Sequence, residues 1–339
     1  MPLRLIEIIL PEGYLNVAEG LIQENDPLDF WKEEITEGQM RMKVLVPTEK
    51  TEPMMDALEE RFYKIDGFRM VLFAVEASVP RPKKKENTHL TSIELQATKK
   101  LEKRGARIGR EELYSDVDKM SRLSWVFIIL IILASVVAAV GILRNNVVFI
   151  IGAMVIAPVL GPNVALSLGT TLGDGELSQR ALKTIALGIV TVFVVSAIVG
   201  MIFRVDTQIP ELVSRTEVNF GDIVLALAAG SAAVLSLSSG LVSALIGVMV
   251  AVALLPPLVT TGMLVGAGHW DLVTGSLLLF LVNFICVNLS GVITFIAQGI
   301  RPLTWWEANR AKKATRNAII LWTGLLFLLV LLIYLSQQS

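Results

Sequence analysis

Apolar residues along this chain follow two rhythms, and the change between them divides it. In the first 80 residues the apolar runs are short. Residues 3–10 (LRLIEIIL) and 69–77 (RMVLFAVEA) read as buried strands, and Met40, Met42, Val44 and Val46 alternate as one face of a half-buried strand. Val17, Ala18, Leu21 and Ile22 recur at helical spacing, as do Met54, Met55, Leu58 and Phe62, the second set after Thr51 and Pro53, which suit a helix start. With 28–36 as a further strand the order is βαββαβ, which predicts an α+β ferredoxin-like soluble domain over residues 1–80. That fold serves enzymes, sensors and assembly modules alike, so the domain is read as regulating, assembling or merely capping the remainder of the chain.

From residue 123 the apolar runs reach membrane dimensions. Stretches at 124–143, 147–171, 180–203, 222–238, 240–267, 271–297 and 317–335 predict an α-helical polytopic membrane protein with about seven transmembrane helices in 123–335. The division between the fourth and fifth rests on Ser238-Ser239-Gly240. Residues 81–122 form a charged helical linker. Leu90, Ile93, Ala97 and Leu101, then Leu113, Val117 and Met120, make apolar stripes on its helices, Gly105 and Gly109 separate them, and Arg104, Arg107 and Arg110, which phospholipid headgroups could also meet, are read as solvated charges that help set topology.

The membrane region repeats itself. IGAMVIAPVLGP from residue 151 aligns without a gap on IGVMVAVALLPP from residue 246, and the same offset of 95 places Gly173 on Gly268, Glu176 on Asp271 and Leu177 on Leu272. Repeat one is 124–203 and repeat two 219–298, with the seventh helix, 317–335, outside. Three spans per repeat is an odd number, so consecutive repeats enter from opposite sides: a 3+3 inverted repeat. Basic residues set the orientation. Arg110, Lys119, Arg122, Arg180, Lys183 and the cluster from Arg301 to Arg316 share one side, against Arg144, Arg204 and Arg215 on the other, so the amino terminus is expected in the cytoplasm and the carboxyl terminus outside.

Two spans carry prolines at mid-depth: Pro158 and Pro162, with Gly161, in the second, and Pro256 and Pro257 in the fifth. Both helices are expected to break there, because each proline lacks an N–H and strips the carbonyls of Met154, Pro158, Val252 and Ala253 of their helical donors. Unsatisfied carbonyls cost several kcal/mol each in hydrocarbon, so the breaks must be buried in protein or line a wet cavity. The functional reading is a midplane site for a small polar or anionic solute or ion, lined by Asn163, Ser167, Thr170, Thr260 and Thr261, with Asn283, Asn288 and Ser290 on the sixth span and Ser236 on the fourth. The plain alternative is a pair of packing kinks.

Composition narrows the field. Hydrophobic residues make up 53% of the 339 and charged residues 18%, against about 25% in soluble domains, so lipid is the expected partner and nucleic acid is not. No ionisable side chain lies at mid-span, which leaves a proton relay without a candidate carboxylate. There is no phosphate loop, and His89 and His269 are the two imidazoles, so neither cofactor, metal nor enzyme chemistry is expected. Cys286, alone in an apolar segment, is a packing residue. Glu7, Glu12 and Glu19 interrupt the first twenty residues, so no cleaved signal peptide is expected and insertion falls to the internal helices.

In IGAMVIAPVLGPNVALSLG at 151–169, LLPPLVTTG at 254–262 and REELY at 110–114 the chain resembles a family of prokaryotic hydrophobic membrane proteins, domain-of-unknown-function family 389. The resemblance covers the linker and membrane region. It implies a prokaryotic cytoplasmic (inner) membrane core of uncharacterised function and brings no substrate or catalytic residue with it. Two functions therefore stand side by side. One is a secondary transporter or channel-like carrier. The other is a non-transporting homo-oligomeric scaffold or sensor whose soluble domain binds a ligand or partner, the linker and small-residue helix faces providing contacts between copies.

Overall fold

The structure, a computed structural model, describes residues 3–36, 38–75, 110–239 and 244–300, with isolated positions between 316 and 327. It divides into two units, residues 1–113 and 114–339.

The first unit opens with β1 (Leu3–Pro11), α1 (Leu15–Glu24), β2 (Asp29–Thr36), β3 (Gln39–Pro47), α2 (Thr48–Phe62) and β4 (Arg69–Val75), the βαββαβ order that the alternation predicts. The strands form one antiparallel sheet in the order β2-β3-β1-β4, with Ile8 of β1 paired to Met42 of β3 and Met70 of β4. Ile6, Ile8, Leu10, Met42, Val44 and Val46 point to one face, and Ala18, Ile22, Met54, Leu58 and Phe62 of the two helices close over them. Each large side chain buried there contributes roughly 1.5–3 kcal/mol. The start of α2 lies ahead of the predicted Thr51 and Pro53: the helix begins at Thr48, and the Thr51 hydroxyl donates back to the Pro47 carbonyl.

The end of the linker forms α3 (Arg110–Ser121). Arg110 is not a solvated charge. It is 9% exposed, with its guanidinium 2.9 Å from Glu111 and 3.6 Å from Asp56, and Arg4 grips Glu112 through two hydrogen bonds. A buried guanidinium persists because carboxylates compensate its lost hydration. Burial raises the pKa of Asp56, and the Arg110 charge offsets part of that rise. Arg104, Arg107 and the stripe from Leu90 to Leu101 lie outside the described residues.

The second unit is helical: α4 (Trp125–Leu143), α5 (Val147–Ile156), α6 (Leu160–Leu172), α7 (Gly175–Ile202), α8 (Pro210–Val213), α9 (Phe220–Ser238), α10 (Ala244–Ala267) and α11 (Trp270–Ala297). Among the described residues five helices, α4, α7, α9, α10 and α11, are long and apolar enough to cross a membrane. The pair α5 and α6, bent by 55°, makes a sixth if counted as one span. The predicted span at 317–335 falls outside the described residues but for isolated positions. Polar side chains fix the helix starts: Ser124, Asn146 and Asp174 accept backbone N–H groups, and Asn219 with Asp222 forms a capping box.

The offset of 95 reaches the helix bounds. Trp125–Leu143 recurs as Phe220–Ser238, and Gly175–Ile202 as Trp270–Ala297. The left-handed turn at Gly173 (φ 71°) recurs at Gly268 (φ 81°). Tertiary contacts recur with partners exchanged. A Cβ on Gly262 of α10 would come 2.7 Å from the Ser196 Cβ of α7, while one on Gly291 of α11 would come 3.0 Å from the Ser167 Cβ of α6. Adding 95 to Ser196 and subtracting it from Gly262 turns the first pair into the second. The correspondence extends ahead of the spans, since Val117 of α3 and Leu212 of α8 are both fully buried.

One expected break is missing. The helix carrying Pro256 and Pro257 does not break: α10 runs unbroken from Ala244 to Ala267 with both prolines inside it. The neighbouring helix answers one of the two prolines, the Asn283 side-chain amide donating to the Ala253 carbonyl at 2.8 Å in place of the N–H that Pro257 lacks, and Ala253 stands where the first half has Pro158.

Candidate functional site

The break that does form lies between α5 and α6. Ala157 leaves the helix with ψ 118°, Pro158 occupies the gap, and α6 restarts at Leu160. Pro162 then falls in the first turn of α6, where a missing N–H costs little. The next residue carries the polarity. The Asn163 amide donates to the Val159 carbonyl at 2.7 Å and its Oδ1 accepts from the Asn288 amide at 3.2 Å. Asn288 also donates to the Phe284 carbonyl at 2.9 Å. The Ser167 hydroxyl stands 3.1 Å from the Asn163 carbonyl and 3.3 Å from that of Asn288, and Thr171 donates to the Ser167 carbonyl. Asn163, Ser167 and Asn288 are 4%, 3% and 0% exposed. Such a network is worth keeping in a low-dielectric core only when its members satisfy one another, as these largely do.

Against this break lies a cavity of about 40 Å³. Eight of its fourteen lining residues form pairs separated by 95 residues: Val159 with Leu254, Asn163 with Leu258, Ile185 with Phe280, and Ile189 with Phe284. The cavity therefore sits where the two halves meet, flanked by Pro162 on one side and by the leucines around Pro256 and Pro257 on the other. Its lining is almost wholly apolar, with Asn163 as the polar side chain among the lining residues. The volume exceeds the roughly 10–15 Å³ that one water needs.

The predicted site residues divide accordingly. Asn163, Ser167 and Asn288 are joined in one network. Asn283 is engaged at α10, but its Oδ1 has no hydrogen-bond partner among the described residues. Thr261 is held by the Pro257 carbonyl and Ser276, away from the cavity lining. Thr260 is fully buried, its hydroxyl unpartnered among the described residues, and Thr170 is half-buried; neither lines the cavity. Ser290 bonds its own helix at the Val287 carbonyl, and Ser236 is half-buried on α9.

A second polar cluster carries no signature in the sequence. Within the second unit, the Tyr114 hydroxyl donates to Asp174 at 2.7 Å, Arg180 pairs with Asp118 and Glu176, and Thr184 donates to the Ser121 carbonyl. Burial, and then the Asp174 carboxylate to which it is bonded, raise the pKa of the Tyr114 phenol. A Cβ on Gly161 would come 2.5 Å from the Met120 carbonyl, so the end of α3 rests on the first turn of α6. The stripe of Leu113, Val117 and Met120 signals a docked helix; its polar partners, some 60 residues away, leave no local signal.

Comparison with known proteins agrees with the reading of the sequence. The family described as Domain of unknown function (DUF389) matches residues 154–289, from the end of α5 into α11. The uncharacterized protein MJ0678 of Methanocaldococcus jannaschii is 35% identical over 336 residues, covering 98% of this chain and 100% of that relative. No solved structure matches.

Proposed function

This chain belongs to the DUF389 family, and we propose that it is a multi-pass carrier of the cytoplasmic membrane, its two halves forming an inverted repeat around a midplane site for a small polar solute. The observation that carries this reading is the cavity to which four pairs of residues 95 apart contribute, because transporters built from inverted repeats bind at the repeat interface. Asn163 is the residue that orients the solute, its side-chain amide held by Asn288 and by the Val159 carbonyl. Of the small polar or anionic solutes that the sequence admits, an uncharged one fits better. The cavity lining holds no cation, and with α10 unbroken one helix amino terminus, that of α6, borders it instead of two. The amino-terminal unit, ferredoxin-like in its strand order, lies on the cytoplasmic side under this reading.

Flux tests the proposal. In proteoliposomes of the purified protein, stopped-flow light scattering measures entry of small uncharged solutes such as urea and glycerol beside formate and nitrate. The expected outcome is faster entry of an uncharged solute, lowered about tenfold by Asn163→Ala and abolished by Leu258→Trp, which fills the cavity. Equal rates for wild type, both variants and protein-free vesicles refute a carrier. A second reading, a scaffold or sensor acting through residues 1–80, draws on the apolar side chains left open on the sheet, Trp31 at 50% and Phe73 at 46% exposed.

A further inference from the structure

The cavity beside Asn163 is chemically one-sided. Asn163 is the polar side chain among the lining residues, and the rest of the wall is leucine, isoleucine, valine, phenylalanine and proline, with Gly188. The Asn163 amide is held in one orientation. One of its N–H groups bonds the Val159 carbonyl, and its Oδ1 accepts from Asn288, whose other N–H is taken by the Phe284 carbonyl. Turning the amide over sets an N–H of Asn163 against that of Asn288, so this orientation is fixed. A primary amide carries two donors and two acceptor lone pairs, and the bonds among the described residues engage one of each. One donor and one acceptor are left at the single polar point of the wall.

Size and polarity together select the occupant. The volume of about 40 Å³, against the roughly 10–15 Å³ that one water needs, admits about three or four water-sized groups. A solute of that size that is polar at every corner, such as urea, satisfies Asn163 with one amino group and leaves the other against leucine and phenylalanine, where an unpaired donor is disfavoured. A solute without a donor leaves the Oδ1 acceptor unanswered. We propose that the cavity takes an uncharged solute of about four non-hydrogen atoms, with one head that both donates and accepts a hydrogen bond and an otherwise apolar body, acetamide being a simple example. This inference rests on the reading of the cavity as the solute site, and narrows its uncharged solutes to those with one apolar end.

The test uses acetamide, urea and acetone, which share one planar shape and size and differ in carrying one amino group, two or none. Each is labelled with carbon-13 at the carbonyl and titrated onto the full-length protein in lipid nanodiscs, and the line broadening in excess of empty nanodiscs gives its Kd. Acetamide is expected to bind about tenfold tighter than urea, which leaves a donor unpaired, and about fivefold tighter than acetone, which has no donor to offer. Asn163→Leu is expected to bring acetamide and acetone level; where a melt shows that variant unfolded, the order of the three solutes on the wild type decides. Urea binding as tightly as acetamide, or no broadening beyond that of empty nanodiscs, overturns the proposal. Flux judges the carrier separately. Ordered binding without flux keeps this site and refutes the carrier, whereas flux with urea and acetamide bound equally keeps the carrier and refutes the solute class.

Discussion

The two halves of the helical unit carry prolines at corresponding depths and treat them differently. Pro162 and Pro257 are 95 residues apart, and each withholds an N–H from the carbonyl four residues before it, that of Pro158 or of Ala253. In the second half Asn283 supplies the missing donor and α10 stays whole. The position corresponding to Asn283 in the first half is Gly188, which has no side chain to offer, and there the helix parts by 55°. The first half also carries Pro158 in the gap itself, where the second half has Ala253, so the break there joins an extra proline to a missing donor.

The comparison can be broken most severely at the close helix crossings. Gly266→Ala puts a Cβ 2.0 Å from the Ala197 carbonyl of a rigid neighbour, and should cost about 3 kcal/mol or prevent folding. A thermal melt in detergent reads the loss. Asn283→Leu comes next, at about 2 kcal/mol, because it orphans the Ala253 carbonyl and bends α10. Adding Pro257→Ala returns an N–H to that carbonyl and should recover most of the loss; if the double variant is no more stable than the single, the donor argument is wrong. Gly188→Asn sharpens the comparison from the other side. It offers the first half the donor it lacks and is expected to reduce the bend between α5 and α6, seen as a changed distance between spin labels on them, with a stability change of about 1 kcal/mol.

The smallest effect is expected away from the prolines. Tyr114→Phe removes one hydrogen bond to Asp174 and should cost about 1 kcal/mol near neutral pH. Its pH dependence has a definite sign. The folded phenol has a raised pKa, so the folded state holds its proton more tightly than the unfolded chain. That contribution is intact below the unfolded value of about 10 and is lost as pH climbs through the folded one. Wild type should therefore lose stability above pH 10 more steeply than the variant in melts recorded across that range.

Much of this architecture is legible in the chain. The alternation of Met42, Val44 and Val46 marks the inner face of the sheet, and the matched segments at 151 and 246 foretell helix bounds that repeat to the residue. Ser238 and Ser239 mark a real helix end. What escapes are outcomes decided by groups distant in sequence. Asn283 lies 30 residues from the carbonyl it rescues, so the continuity of α10 cannot be read from its own prolines. The cavity's apolar lining escapes for a related reason: Thr260, Thr261 and Asn283 stand off the cavity wall, and residue type alone does not reveal rotation about an axis.

The length of α7 carries a structural consequence. At 28 residues it extends about 42 Å, some 12 Å more than a hydrocarbon slab of about 30 Å. Its surplus is the polar first turns, Glu176 to Arg180, which α3 grips through Asp118, while Ile185, Ile189 and Val192 further along form part of the cavity wall. One continuous helix thus joins the turns that α3 holds to the residues that wall the cavity.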